Sequence, residues 1–98
     1  MNLQLTNKVA LVTASTGGIG LEIAKSLAAE GAIVIVNGRS SKSVNKAINK
    51  ILKVTPSAKL KSLVADNATS AGNEKTITEN PHIDILINNL GIYEVVEF

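Results

Sequence analysis

The stretch Val9-Ala10-Leu11-Val12-Thr13-Ala14-Ser15-Thr16-Gly17-Gly18-Ile19-Gly20 decides the fold. An apolar run leads into small and hydroxyl-bearing residues and then into glycines. A helix-periodic segment follows, marked by Leu21, Ile23, Ala24, Leu27 and Ala28. A strand that breaks into such a turn and continues as a helix leaves the first N–H groups of that helix without backbone acceptors. Those donors, with the positive end of the helix dipole, make a ready place for a phosphate anion. Gly18 is placed to let the backbone approach a pyrophosphate, and Gly20 to let the helix pack closely on the strand. Taken alone, the glycines also fit an ordinary strand-to-helix turn. A P-loop is disfavoured, because neither Lys-Ser nor Lys-Thr follows them to reach terminal phosphates and magnesium.

Working outward, Lys8 to Thr13 reads as a first strand, apolar on both faces like a central strand of a parallel sheet. A first helix runs from Gly18 to Glu30 with Ile19, Ile23 and Leu27 on one stripe, and Gly31 is placed to stop it. Ala32 to Val36 forms a second buried strand, ended by Asn37-Gly38. Ser41 or Ser43 caps a second helix, in which Val44, Ala47, Ile48, Ile51 and Leu52 follow an amphipathic spacing. Thr55-Pro56-Ser57 ends it. Leu60 to Ala65 gives a third strand. Thr69 to Glu79 gives a short helix with Ala71 and Ile77 as its apolar anchors, and Ile83 to Ile87 gives a fourth strand closed by Asn88-Asn89. Strands and helices alternate with short connections. Right-handed crossovers then predict an α/β fold with a parallel sheet in the order 3-2-1-4.

Composition narrows the function classes. Ninety-eight residues, 45% apolar and 18% charged, make one globular domain at most. Tyr93 and Phe98 are the aromatics, so the core is aliphatic. The net charge of +2 is small. Lys42, Lys46, Lys50 and Lys53 lie at helix-surface spacing with no interleaved aromatics, which reads as a solvated face rather than a nucleic-acid site. Without cysteine there is neither a disulfide nor a thiolate metal site. His82, alone after Pro81, is not expected to be catalytic or metal-binding. No signal-peptide pattern opens the chain and no run of about 18 apolar residues spans a bilayer, so a cytoplasmic location is expected.

Several separated motifs together resemble the short-chain dehydrogenase/reductase family. Its Thr-Gly-x-x-x-Gly-x-Gly pattern appears as Thr13-Ala14-Ser15-Thr16-Gly17-Gly18-Ile19-Gly20, the acidic residue after its third strand as Asp66, and its Asn-Asn-Ala-Gly as Asn88-Asn89-Leu90-Gly91. The resemblance covers essentially the whole chain. It implies an NAD(P)-binding Rossmann-like fold, of which residues 1–98 are the N-terminal part, an incomplete doubly wound arrangement. It also implies that Thr16 and the Gly17, Gly18 and Ile19 backbone hold the pyrophosphate, with Ile19 bordering the path to the nicotinamide. Asp66 would accept from the adenine amino group with Asn67 beside it, and Asn89, Leu90 and Gly91 would line the ribose. Asn88 and Thr13 would support neighbouring backbone, Thr13 by bridging the first strand to the turn. Two positions depart from the pattern. Ala14 replaces the first glycine where the turn is tightest, and Leu90 replaces a small residue beside the ribose; either narrows the site.

The end of the second strand selects the cofactor. An NAD-preferring site places a carboxylate there for the ribose 2′-hydroxyl. Here Gly38 is followed by Arg39 and Ser40. A guanidinium suits a 2′-phosphate, which favours NADP(H) over NAD(H), with a surface charge as the plainer reading of Arg39.

The family's catalytic Asn, Ser, Tyr and Lys lie beyond its Asn-Asn-Ala-Gly motif, and this sequence ends at Phe98 soon after it. Tyr93 has Glu97, not lysine, four residues on. The resemblance therefore implies no catalytic residue in this chain, which is not expected to be a reductase alone. A truncated gene product, a cut piece and half of a split enzyme all fit. The strand Ile83–Ile87 would be an apolar edge, and the Leu11, Ile35 and Ile85 region a bare face, both suited to association. The alternatives to a cofactor-binding fragment are a non-catalytic, self-associating module and a decayed remnant.

Overall fold

The computed structural model describes residues 5–67 and 69–89. Seven elements alternate: β1 (Val9–Val12), α1 (Gly18–Ala29), β2 (Ile33–Gly38), α2 (Ser41–Val54), β3 (Lys59–Val64), α3 (Ser70–Glu79) and β4 (Ile85–Ile87). The strands form one parallel sheet in the order β3-β2-β1-β4. The Rossmann-like order expected from strand–helix alternation is the one observed.

Alternation along the strands divides the core by face. Ala10, Val12, Val34 and Val36 lie on the face that α1 and α2 cover, where they meet Ala24, Ala28, Val44, Ala47 and Ile51. Leu11, Ile35, Leu63 and Ala65 lie on the opposite face. Leu86, not Ile85, is the β4 neighbour of Leu11 in register, and Ile85 pairs with Ala10 and packs toward α1 and α2. The face expected to be bare around Leu11, Ile35 and Ile85 is not bare at the first two, which are buried, and its exposed β4 residue is Leu86 rather than Ile85. A strand's two-residue period permits no other assignment.

Four further expectations shift. Helix α1 packs through Gly20, Leu21, Ala24 and Ala28, while Ile19 is 56% exposed and Ile23 and Leu27 are half-buried. Small side chains let this helix approach the sheet, which leaves the bulkier stripe at its flank. Ser40 caps α2, not Ser41 or Ser43; its hydroxyl accepts from the Ser43 N–H at 3.2 Å. Asn37 and Gly38 do not end β2 but belong to it, and both are buried. In α3 the buried residues are Gly72 and Thr76, whereas Ala71 is exposed and Ile77 is 68% exposed.

That last difference has a local cause. Thr69 caps α3 by accepting from the Gly72 N–H at 3.0 Å, and its hydroxyl donates to the Asp66 carbonyl at 2.8 Å. A Cβ on Gly72 would stand 1.8 Å from that same carbonyl. Close approach at Gly72 and the Thr76–Asn67 side-chain hydrogen bond hold α3 in place, with no apolar seam. Gly31, at φ +89°, fulfils its expected role at the end of α1.

Candidate functional site

The C-terminal ends of the four strands converge around the N-terminus of α1. From β1 to β2 the chain steps one way across the sheet, and β4 lies on the other side of β1. Ligand sites of open α/β sheets form at such a reversal.

The turn between β1 and α1 is held from below by Asn37. Its Oδ1 accepts from the Ala14 N–H at 2.9 Å, and its Nδ2 donates to the carbonyls of Leu63 at 3.2 Å and Ala65 at 3.1 Å. Its backbone N–H donates to Ser15 Oγ at 2.8 Å, and its carbonyl accepts from the Ser15 N–H at 2.9 Å. One buried amide thus ties the ends of β1, β2 and β3 together. From the sequence alone, Asn37 reads as a strand terminator. The available signal was its position at the end of the buried Ala32–Val36 run, where a polar side chain needs internal partners.

Ala14 adopts φ +49°, the left-handed region that favours glycine. The family's first glycine thus corresponds to a conformation this alanine must bear. The Ala14 carbonyl accepts from Asn89 Nδ2 at 3.1 Å. Gly20 lies beneath the same carbonyl, where a Cβ would stand 2.4 Å from Ala14 O and 2.7 Å from Asn89 Nδ2. The close packing expected of Gly20 is present. Thr13 fastens β1 to the end of β4 rather than to the turn: its hydroxyl accepts from the Asn89 N–H at 2.9 Å and lies 3.4 Å from Asn88 Oδ1.

Above these packed groups the turn is open. Gly17 is the N-cap of α1 without a side-chain cap, and the first backbone bond of the helix runs from Leu21 N–H to the Gly17 carbonyl. The Gly18, Ile19 and Gly20 N–H groups therefore precede the hydrogen-bonded ladder. Gly18 has φ +56°, and no atom lies within 4 Å of a Cβ built on Gly17 or Gly18. Beside this opening, Gly38 is pressed against Thr16 and Val44, its Cβ position 2.5 Å from the Thr16 methyl. Arg39 follows, exposed at the end of β2, and Arg39 to Ser43 contain no carboxylate. At the end of β3, Asp66 is half-buried and its carbonyl is engaged by α3. Asn67 Oδ1 accepts from Thr76, and its buried Nδ2 has no hydrogen-bond partner among the described residues. Asn89 is buried with Oδ1 likewise unpartnered. Leu90 and Gly91 lie outside the described residues.

The opening joins free amide donors and a helix N-terminus, with the exposed Arg39 beside it, a donor set suited to an elongated anionic ligand. The family model for short chain dehydrogenase matches residues 8–98. The chain belongs to the short-chain dehydrogenase family. It is 46% identical over 98 residues to YvaG of Bacillus subtilis, an uncharacterised oxidoreductase, a match covering 100% of this chain and 37% of that protein. It is 40% identical over 96 residues to the mouse dehydrogenase/reductase SDR family member 4, covering 90% of this chain and 32% of that one. The crystal structure of L-sorbose reductase from Gluconobacter frateurii, complexed with NADPH and L-sorbose, superposes with a TM-score of 0.78 at 29% identity. That match covers 91% of this chain and 35% of the reductase. The chain spans about a third of the length of these relatives.

Away from the site, Asp84 sits where β4 begins. Its Oδ2 accepts from the Val9 N–H at 2.8 Å and its Oδ1 lies 3.3 Å from His82 Nε2. The Val9 hydrogen bond, aided by the neighbouring His82 and Lys8, holds its carboxyl below the ordinary value, against some desolvation. The link from β4 to β1 here is thus the Asp84–Val9 hydrogen bond, with the exposed His82 beside it. Among the described residues no group of three or more His, Cys, Asp or Glu could hold a metal ion, and no helix is long and apolar enough to cross a membrane.

Proposed function

We propose that this chain is the NADP(H)-binding segment of a short-chain oxidoreductase that interconverts a carbonyl and an alcohol. The observation that carries the reading is the open turn over Gly17 and Gly18, with the unladdered amides of α1 behind it. The Gly18 and Ile19 amides and Thr16 hold the pyrophosphate, while Ala14 and Gly20 shape the turn. Arg39 faces the 2′-phosphate; a planar, permanently charged fork suits that group, and no carboxylate follows β2 to repel it. Asp66 and Asn67 receive the adenine, and Asn89, Leu90 and Gly91 the adjoining ribose. The NADPH in the L-sorbose reductase structure supports this choice of ligand.

Bound NADPH supplies a hydride to a carbonyl carbon. The residues of this chain hold the cofactor, and the sequence contains no Tyr-x-x-x-Lys pair to handle the accompanying proton. Hydride transfer is therefore assigned to the whole enzyme, not to these 98 residues.

A thermal melt with NADPH, with NADH and with neither tests the reading. A ligand that binds only the folded chain stabilises it by about 2.7 kcal/mol at a hundred times its Kd. NADPH should raise the Tm more than NADH, and Arg39→Glu should erase that preference. Equal shifts would contradict the assignment of Arg39, and no shift would contradict cofactor binding. Leu86, 61% exposed on the sheet face away from α1 and α2, favours a second reading as a self-associating module. A dimer indifferent to either cofactor would be its signature.

A further inference from the structure

We infer that the outer face of α2 is an electrostatic docking surface for an acidic helix of a partner protein. The chain carries ten Lys and Arg and eight Asp and Glu. Seven of the ten cations, and none of the acids, fall between residues 31 and 65. A modest net charge thus conceals a strongly basic α2–β3 side. Its centre is the row Lys42, Lys46, Lys50 and Lys53, on the side of α2 opposite the buried Val44, Ala47 and Ile51. All four lysines are exposed, and none is ion-paired with a described residue.

Three members of the row disfavour the helix that carries them, and Lys53 alone is favourably placed, in the last turn. Lys42, Lys46 and Lys50 repeat at i, i+4, a spacing that sets like charges against each other. Lys42 lies in the first turn, at the positive end of the dipole, and that turn contains no acidic residue. A helix needing only a solvated face is better served by interspersed glutamates. An anionic partner turns each of these unfavourable terms into an attraction.

Geometry selects the kind of anion. Successive lysines are separated by about 6 Å along the axis, and the row spans roughly 16 Å. A second α-helix with carboxylates at i, i+4, i+8 and i+11 presents the same repeat. A lipid surface is poorly matched, because helices that bind it insert an apolar face, and here that face is buried against the sheet. Nucleic acid is poorly matched too, because the row contains neither arginine nor an aromatic side chain for base stacking. Val54, 69% exposed at the end of α2, adds one short-range apolar contact.

The test uses the full chain and an amidated helical peptide of about 18 residues with glutamates at i, i+4, i+8 and i+11. A second peptide carries the same glutamates distributed around its helix. Tighter binding of the first peptide, weakened about tenfold by Lys46→Glu with Lys50→Glu at low salt, is the expected result. Lys25→Glu, a charge reversal on α1, should leave binding unchanged. Lys46 and Lys50 are exposed, and Lys25 is half-buried with a single surface ion pair to Glu22, so circular dichroism on each variant checks that the fold is unaltered. The inference is overturned if neither peptide binds, if both bind equally, or if Lys25→Glu weakens binding as much. It is also overturned if vesicles of three parts phosphatidylcholine to one of phosphatidylserine, or a short DNA duplex, bind more tightly than the first peptide.

Discussion

On one face of the sheet, Val12, Val34 and Val36 lie beneath α1 and α2 and meet Ala24, Val44, Ala47 and Ile51, all buried. On the other, Leu11 and Ile35 are buried, yet Leu86, paired in register with Leu11, is 61% exposed. The same four strands supply both faces, so the difference lies in the helices. Helix α2 presents an uninterrupted apolar stripe. Helix α3 is pinned by Gly72 against the Asp66 carbonyl and by Thr76 on Asn67. It leaves a hollow of about 430 Å³ bordered by Leu11, Ile77, Ile83 and Leu86. Both faces bury apolar strand residues, but α1 and α2 are held by apolar packing whereas α3 is held by local polar ties.

The largest effect should come from the first face. Ile51→Ala removes a fully buried side chain beneath α2 and should cost about 4 kcal/mol. Ile77→Ala, on the exposed side of α3, should cost less than about 0.5 kcal/mol. Denaturant titration of the pair measures the contrast directly, and equal losses would break it. Next in size, Asn37→Ala should cost about 3 kcal/mol, since it strands the Ala14 N–H and deprives the Leu63 and Ala65 carbonyls of their donor. The same titration checks it, and a loss confined to ligand affinity would show that the network serves the turn alone.

Ala14→Gly should instead stabilise the chain by about 1 kcal/mol, because φ +49° is strained for alanine and open to glycine. An unchanged denaturation midpoint would place the strain elsewhere. The smallest effect belongs to the β1–β4 join. The Asp84 carboxyl is held below its ordinary value chiefly by the Val9 N–H. A depressed folded value means that its contribution is whole above the unfolded carboxyl's range and is lost as pH falls through the folded value. The stability difference between wild type and Asp84→Asn should therefore shrink toward the acid end of a pH series of melts. A difference that grew there would reverse the assignment.

The strands, both long helices and the glycine turn are legible because each rests on local pattern: apolar runs for strands, three-to-four spacing for α2, and Gly31 at the end of α1. The sheet order follows from their alternation and the handedness of the crossovers. What escaped reading depends on partners distant in sequence. Asn37 is indistinguishable from a turn residue until the ends of β1 and β3 stand beside it. Ala71 and Ile77 were natural anchors for α3 by hydropathy, but close approach at Gly72 and the Thr76 hydrogen bond outweigh them. Ile85 and Leu86 differ by one residue, and only the register with Ala10 and Leu11 assigns their faces. Within the site, the role of Gly20 follows from the motif, whereas the strain at Ala14 becomes visible only with its φ.

An amide-resolved NMR titration of the chain with NADPH tests most directly whether the open turn is a cofactor cradle. The account predicts the largest shifts at Gly17, Gly18, Ile19 and Gly20, with a second group at Arg39 and Ser40 that NADH does not reproduce. Shifts that bypass the α1 N-terminus, or a spectrum unmoved by NADPH, would contradict it.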